Sequence, residues 1–163
     1  MNRMTTGLVI SFIAFFILCT VSPVCSQSFV QYCNPRYGFC VDYPNNLTMK
    51  TAPDNDDGRE FHDSNGFQLI ASGINNVLDD TLETEMKSQS KDIGKITYQV
   101  KRKNWFVLSG HIASDIVYVK TYVGKGAINR LYIKYPAKMK MKYTDTVTKI
   151  SQSFKPGNLN EAH

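Results

Sequence analysis

The chain has 163 residues, of which 42% are hydrophobic, 20% charged and 12% aromatic, a mixture that excludes disordered, collagen-like and coiled-coil chains. Four cysteines are too few for a disulfide scaffold, and only one apolar stretch approaches membrane length, which excludes a multispan membrane protein. A length near that of one domain and a net charge of +5 point to a single folded unit.

That apolar stretch comes first. Arg3 and the amino terminus precede an apolar run at 8–18, and a more polar segment at 20–26 contains Pro23, the layout of a secretory signal. As a helix the run rises only about 16 Å, against roughly 30 Å of hydrocarbon, so a retained anchor is the lesser reading. Val24 and Ser26 are small enough to flank a cleavage site, which leaves Gln27 as the new amino terminus. The expected organisation is a signal peptide at 1–26, a single α+β domain at 27–157 and a flexible tail at 158–163. Charge is unevenly spread. Residues 27–86 carry three basic and ten acidic side chains, whereas 87–163 carry fifteen basic and four acidic ones. Nucleic acid is not an expected partner outside the cytoplasm.

Export leaves Cys33 and Cys40 where thiols oxidise. Six residues lie between them, from Asn34 to Phe39, and Pro35 and Gly38 supply turn chemistry. A hairpin that pairs Cys33 with Cys40 puts Val30, Tyr32, Val41 and Tyr43 on an inward face and Gln31 and Asp42 with the cysteines on the outer one. A disulfide clamping that outer face is therefore predicted, since metal or redox pairs favour a spacing of two.

Pro44 ends the hairpin, and 45–57 reads as a polar connection holding the sequon Asn46-Leu47-Thr48 and an acidic group that fails the calcium-loop pattern. Asp57 and Gly58 open a strand through Phe61, and a turn at 63–66 leads to Phe67, Leu69 and Ala71 alternating inward. Asp80 with Glu83 reads as a helix cap, Leu78, Leu82 and Met86 as its apolar stripe, and Glu83 with Lys87 as an outer pair, the helix ending at Gly94. Ile96, Tyr98 and Val100 then alternate with polar residues in a half-buried strand. Strands follow at 105–109, 116–123 and 128–135, the last two joined at Gly124, Lys125 and Gly126. Tyr143, Val147, Ile150 and Phe154 mark a final helix stopped by Pro156 and Gly157. This order predicts an α+β fold with one antiparallel sheet of about six or seven strands and two helices packed on its faces.

No motif fixes a reaction. His62 beside Asp63, and Ser109 near His111 and Asp115, supply the residue types of an acid/base or nucleophilic site without evidence of its geometry. No metal, cofactor or nucleotide loop is expected. Lys101, Arg102 and Lys103, with Lys138, Lys140 and Lys142, form a candidate basic contact patch.

Tyr37, Gly38, Phe39, Val41, Asp42, Tyr43 and Pro44, then Asp57, Gly58, Arg59 and Phe61, and finally Ser153, Phe154 and Lys155, resemble small exported bacterial proteins of the PsbP-like and DcrB-like fold group. The likeness spans 29–155 and implies a PsbP-like fold. It also implies non-enzymatic partners of the kinds that group contains: extrinsic photosystem II subunits, a Ran-binding protein, envelope proteins and secretion-effector chaperones. It transfers no catalytic residue, and the chain lacks the long binding terminus of the photosynthetic branch. The expected function is an exported, non-enzymatic protein-binding or accessory domain of the cell envelope, periplasmic or secreted, with another envelope or secreted protein as partner. A binder of anionic lipid or envelope polymer through the basic patch is the alternative, and a hydrolase using His62 or His111 comes third.

Overall fold

Two strands, β1 (Phe29–Cys33) and β2 (Cys40–Pro44), open the structure, a computed structural model that describes residues 27–163. The signal reading at 1–26 lies outside the described residues. A two-residue strand β3 (Thr48–Met49), which the polar connection hides in the sequence, precedes β4 (Gly58–His62) and β5 (Gln68–Asn75). Helix α1 (Leu82–Lys91) leads to β6 (Lys95–Lys101), β7 (Trp105–Ile112), β8 (Asp115–Val123) and β9 (Ala127–Pro136), and a 3-10 turn enters α2 (Lys140–Ser153). Seven strands form one antiparallel sheet in the order β3-β4-β5-β9-β8-β7-β6, while β1 and β2 pair only with each other. The fold is α+β, as expected, with the first hairpin set apart from the main sheet.

The hairpin register is the predicted one: Cys33 faces Cys40, Tyr32 faces Val41 and Gln31 faces Asp42, and the cysteines are joined in a disulfide. Tyr32 and Tyr43 both pack on Phe61 of β4, with ring centroids 5.8 and 4.2 Å apart. Cys40 and Lys155 exchange backbone hydrogen bonds at 3.0 Å in both directions, so the second residue after α2 holds the free side of β2. Val30, expected inward, is 46% exposed, because β1 is the outer strand of the hairpin with nothing beyond it.

The main sheet buries both faces differently. Toward the hairpin and α2 it presents Phe61, Phe67, Leu69, Leu131 and Ile133, which close around Phe39, Ile150 and Phe154. Toward α1 it presents Phe106, Leu108, Val117, Val119 and Ile128. Helix α2 has the predicted stripe, with Tyr143, Val147 and Ile150 all buried. Its start is tied down by the Tyr143 hydroxyl, which donates to Asp63 at 2.5 Å. Asp63 also accepts from the backbone N–H groups of Asn65 and Phe67, closing the expected turn. Burial opposes ionisation of Asp63, but these three hydrogen bonds and a fourth from the Asn65 side chain outweigh it and hold the carboxyl below its usual range.

Helix α1 departs from its predicted form. Leu78 is 80% exposed in a loop ahead of the helix. The Asn76 side chain closes that loop, bonding the Asp80 backbone and the Gly124 carbonyl, and Asp79 takes a positive φ of 51°. The cap is Thr81 in a reciprocal box with Thr84, one residue later than Asp80, and Glu83 pairs with Lys101 at 2.8 Å instead of with Lys87. Glu85 and Gln89 sit on the buried face of α1. Glu85 pairs with Arg130, Gln89 donates to Glu85 at 2.6 Å, and Thr121 donates to Gln89 at 2.9 Å. A polar chain therefore does much of the attaching that the apolar stripe was expected to do.

The tail at 158–163 is hydrogen-bonded to the sheet where a flexible end was expected. Gly126 and Ala127 donate to the Leu159 carbonyl, and His163 exchanges hydrogen bonds with Asn75 and accepts from Arg36. Gly124 and Gly126 leave room for this return, since a Cβ on either meets the backbone of Leu159 or Glu161 at 2.2 Å.

Two outcomes follow for stability. Reducing the disulfide, or replacing both cysteines with Ser, should lower stability by about 2 to 3 kcal/mol, read from urea unfolding with and without dithiothreitol. Because the folded Asp63 carboxyl lies below its unfolded value, its stabilisation is complete above about pH 4 and fades as pH falls through the folded value. The advantage of the parent chain over Asp63→Asn should therefore be constant between about pH 6 and 8 and shrink in acid, as urea midpoints across pH will show.

Candidate functional site

The register separates the basic residues that the sequence suggests as one patch. Lys101, Arg102 and Lys103 lie at the β6–β7 turn, where Val123 donates to the Asn104 carbonyl. Lys138, Lys140 and Lys142 lie at the entry to α2, where Ala137 donates to the Ser114 carbonyl. Ser114 and Val123 are at opposite ends of β8, so roughly 25 to 30 Å of strand divides the two groups. They form two surfaces, not one.

The histidine candidates do not assemble either. Asp115 faces Ile112 across β7 and β8, so it lies on the α1 side while His111, the neighbour of Ile112, points to the other side. Ser109 donates to the Val117 carbonyl at 2.8 Å. The Asp63 carboxylate is engaged by Tyr143, Asn65 and Phe67, with no hydrogen bond to His62.

A different constellation forms where α2 ends over β6, β7 and β8. Register shifts between Ile96 and Tyr98, which leaves Thr97 as an extra residue and turns the strand over. Ile96 thus faces α1, whereas Tyr98 and Val100 face the α2 side beside Ser109 and Val107. Tyr98 is 55% exposed there, in place of the half-buried position expected of it. Trp105, Tyr118, Lys120 and Tyr122 share this face, and Tyr98, Trp105, Tyr118 and Lys120 with Arg102 and Ser151 line a groove of about 250 Å³.

Lys120 sits at the bottom of that groove. It is 8% exposed, it faces Val107 and Leu131 across the neighbouring strands, and its ammonium donates to the Ser151 carbonyl at 2.7 Å. The same ammonium lies 5.4 Å from the Trp105 ring centre and 5.3 Å from that of Tyr122, a cation held against two π faces. Among the described residues no carboxylate is within ion-pair distance of it. Burial alone pulls its pKa below the usual lysine range. The Arg102 guanidinium stands 5.9 Å from the Trp105 ring centre. The Tyr118 and Ser151 hydroxyls share a hydrogen bond at 2.5 Å, and burial raises the Tyr118 pKa, so that phenol stays neutral and fixed.

No family model and no curated protein sequence matches this chain. Solved structures do. Cyanobacterial PsbP (CyanoP) from Synechocystis sp. PCC 6803 superposes with a TM-score of 0.58 at 12% identity, covering 85% of this chain and 98% of its own. The Saccharomyces cerevisiae Ran-binding protein Mog1p superposes with a TM-score of 0.52 at 10% identity, covering 83% of this chain and 97% of its own. The fold is PsbP-like. At these identities the likeness concerns the backbone path, and the groove residues stand on this chain's own geometry.

Sequence reasoning placed Lys120 only at the start of a basic stretch, 120–142, of an anion-binding surface, and read Trp105 only as the start of a strand. One signal was available: in 116–122, Ile116, Tyr118 and Tyr122 mark an inward face, and Lys120 breaks it. A lysine at such a position lies buried with a specific partner or at a site.

Proposed function

We propose that this chain is an exported, non-enzymatic accessory domain that works by holding another envelope or secreted protein at the groove between the end of α2 and β6, β7 and β8. The observation that carries the reading is the groove's make-up. An exposed tyrosine, a tryptophan flanked by two cations and a free sheet edge at β6 are what interfaces use to gain area and specificity together. Mog1p is a Ran-binding protein, so this fold serves at least once to hold a protein. His111 and Asp115 lie on opposite faces of the sheet and the Asp63 carboxylate is taken by Tyr143, Asn65 and Phe67, which supports a reading without catalysis. Export rests on the signal reading of residues 1–26 and agrees with the Cys33–Cys40 disulfide. The two basic clusters stand at opposite ends of β8, so the groove is preferred over a single basic patch as the contact.

Two measurements bear on this. Material purified from the envelope should have the intact mass of a chain beginning at Gln27 with one disulfide, and a full-length chain with free thiols in the cytosol would end the export reading. A photoreactive benzophenone side chain at Tyr98 should trap a discrete protein adduct in the producing cells. The same group at Met141, 94% exposed at the far end of the sheet, should not trap it. Equal yields at both positions would remove the groove as the contact.

A further inference from the structure

The groove also specifies the chemistry of what enters it. Lys120 is more than nine-tenths buried, yet its ammonium has three donors and only one of them goes to a protein acceptor, the Ser151 carbonyl. Trp105 and Tyr122 take the remaining charge by their ring faces, which is weaker compensation than an anion. Arg102 brings a second cation, a guanidinium, to the same tryptophan, and among the described residues its side chain donates to the adjoining Lys101 carbonyl. Two cations therefore converge on a small aromatic cleft that contains no carboxylate of its own.

Size and edge decide the form of the ligand. At about 250 Å³ the cleft is below the roughly 300 to 1,000 Å³ of sites that enclose a drug-sized molecule, and it suits one or two protruding side chains. Its open side adjoins β6, which ends the sheet with no strand beyond it among the described residues. Lys101 is paired with Glu83, but Lys95 at the start of β6 and Arg102 and Lys103 after it disfavour a basic segment. An acidic one relieves that repulsion.

Building on the protein-binding reading above, we propose that the groove takes a Glu or Asp side chain from an extended acidic segment of the partner. Lys120 is the buried anion anchor, with Arg102 beside the same tryptophan. The aromatic walls of the cleft supply contact area, and the carboxylate supplies the selection.

Trp105 is the only tryptophan of the chain, so its emission reports this cleft directly. Ten-residue peptides alternating Glu with Val should change Trp105 emission saturably, whereas the Gln–Val and Lys–Val counterparts should not. Lys120→Met should weaken the Glu–Val response at least tenfold, and so should Arg102→Gln to a smaller extent, with far-ultraviolet circular dichroism confirming the fold. Equal responses to Glu–Val and Gln–Val peptides in the parent chain overturn the proposal without recourse to any variant. So does no response to any peptide, or a response confined to phosphatidylglycerol vesicles or to self-association seen by sedimentation. A Tyr98 adduct in cells with none of the Glu selectivity in vitro leaves the groove as a contact and removes only its anion anchor.

Discussion

The two-residue period of β8 sends Ile116, Tyr118, Lys120 and Tyr122 to one side of the sheet and Val117, Val119, Thr121 and Val123 to the other, and both helices are placed by what that strand offers them. On one side Tyr118 and Lys120 reach Ser151 in the last turn of α2. On the other, Thr121 reaches Gln89 of α1. A slip of one residue in its pairing with β9 would exchange these sets and take Lys120 away from Ser151, Trp105 and Tyr122. Register in the centre of the sheet is therefore also what assembles the groove.

The two helices are held by different physics. Helix α2 buries Tyr143, Val147 and Ile150, and side chains of this kind contribute about 1.5 to 3 kcal/mol each when fully buried. Helix α1 relies on Glu85, Gln89, Arg130 and Thr121, where a neutral hydrogen bond nets about 0.5 to 1.5 kcal/mol. The Arg130 side chain is 36% exposed, so solvent screens its pair with Glu85. Local opening should accordingly cost less at α1 than at α2. The groove is built on the more firmly attached helix, which keeps its wall in place when it is empty.

Where local pattern and tertiary packing agreed, the sequence was enough. The Cys33–Cys40 register, the turn at Asp63, the inward run Phe67, Leu69, Ala71 and the stripe of α2 all follow from period and turn chemistry that a reader can count. It failed where a distant group decided the outcome. Leu78 lies outside the helix because Asn76 bonds Gly124, 48 residues away. Tyr98 faces the groove because an extra residue at Thr97 inverts the strand. The tail is held by the amides of Gly126 and Ala127. None of these acts through neighbours in sequence, so periodicity carries no trace of them. The site was the least legible part, because it is made from a lysine that looks like an interruption and a tryptophan that looks like core.

Lys120 has a structural use that has to be weighed against the functional one. The last carbonyls of a helix lack intrahelical donors, and a cation there is favoured by the helix dipole, so the bond to Ser151 completes α2 as a cap. A cap alone, however, needs no burial and no aromatic enclosure, and exposed lysines near helix ends achieve it with the charge in water. Sinking the ammonium beneath Trp105 and Tyr122 adds a desolvation penalty that capping does not repay. Arg102 placed over the same tryptophan compounds the local positive charge instead of relieving it. A cap explains where the Lys120 nitrogen is fixed. The unrelieved charge around it is the part that calls for an anion from outside the chain.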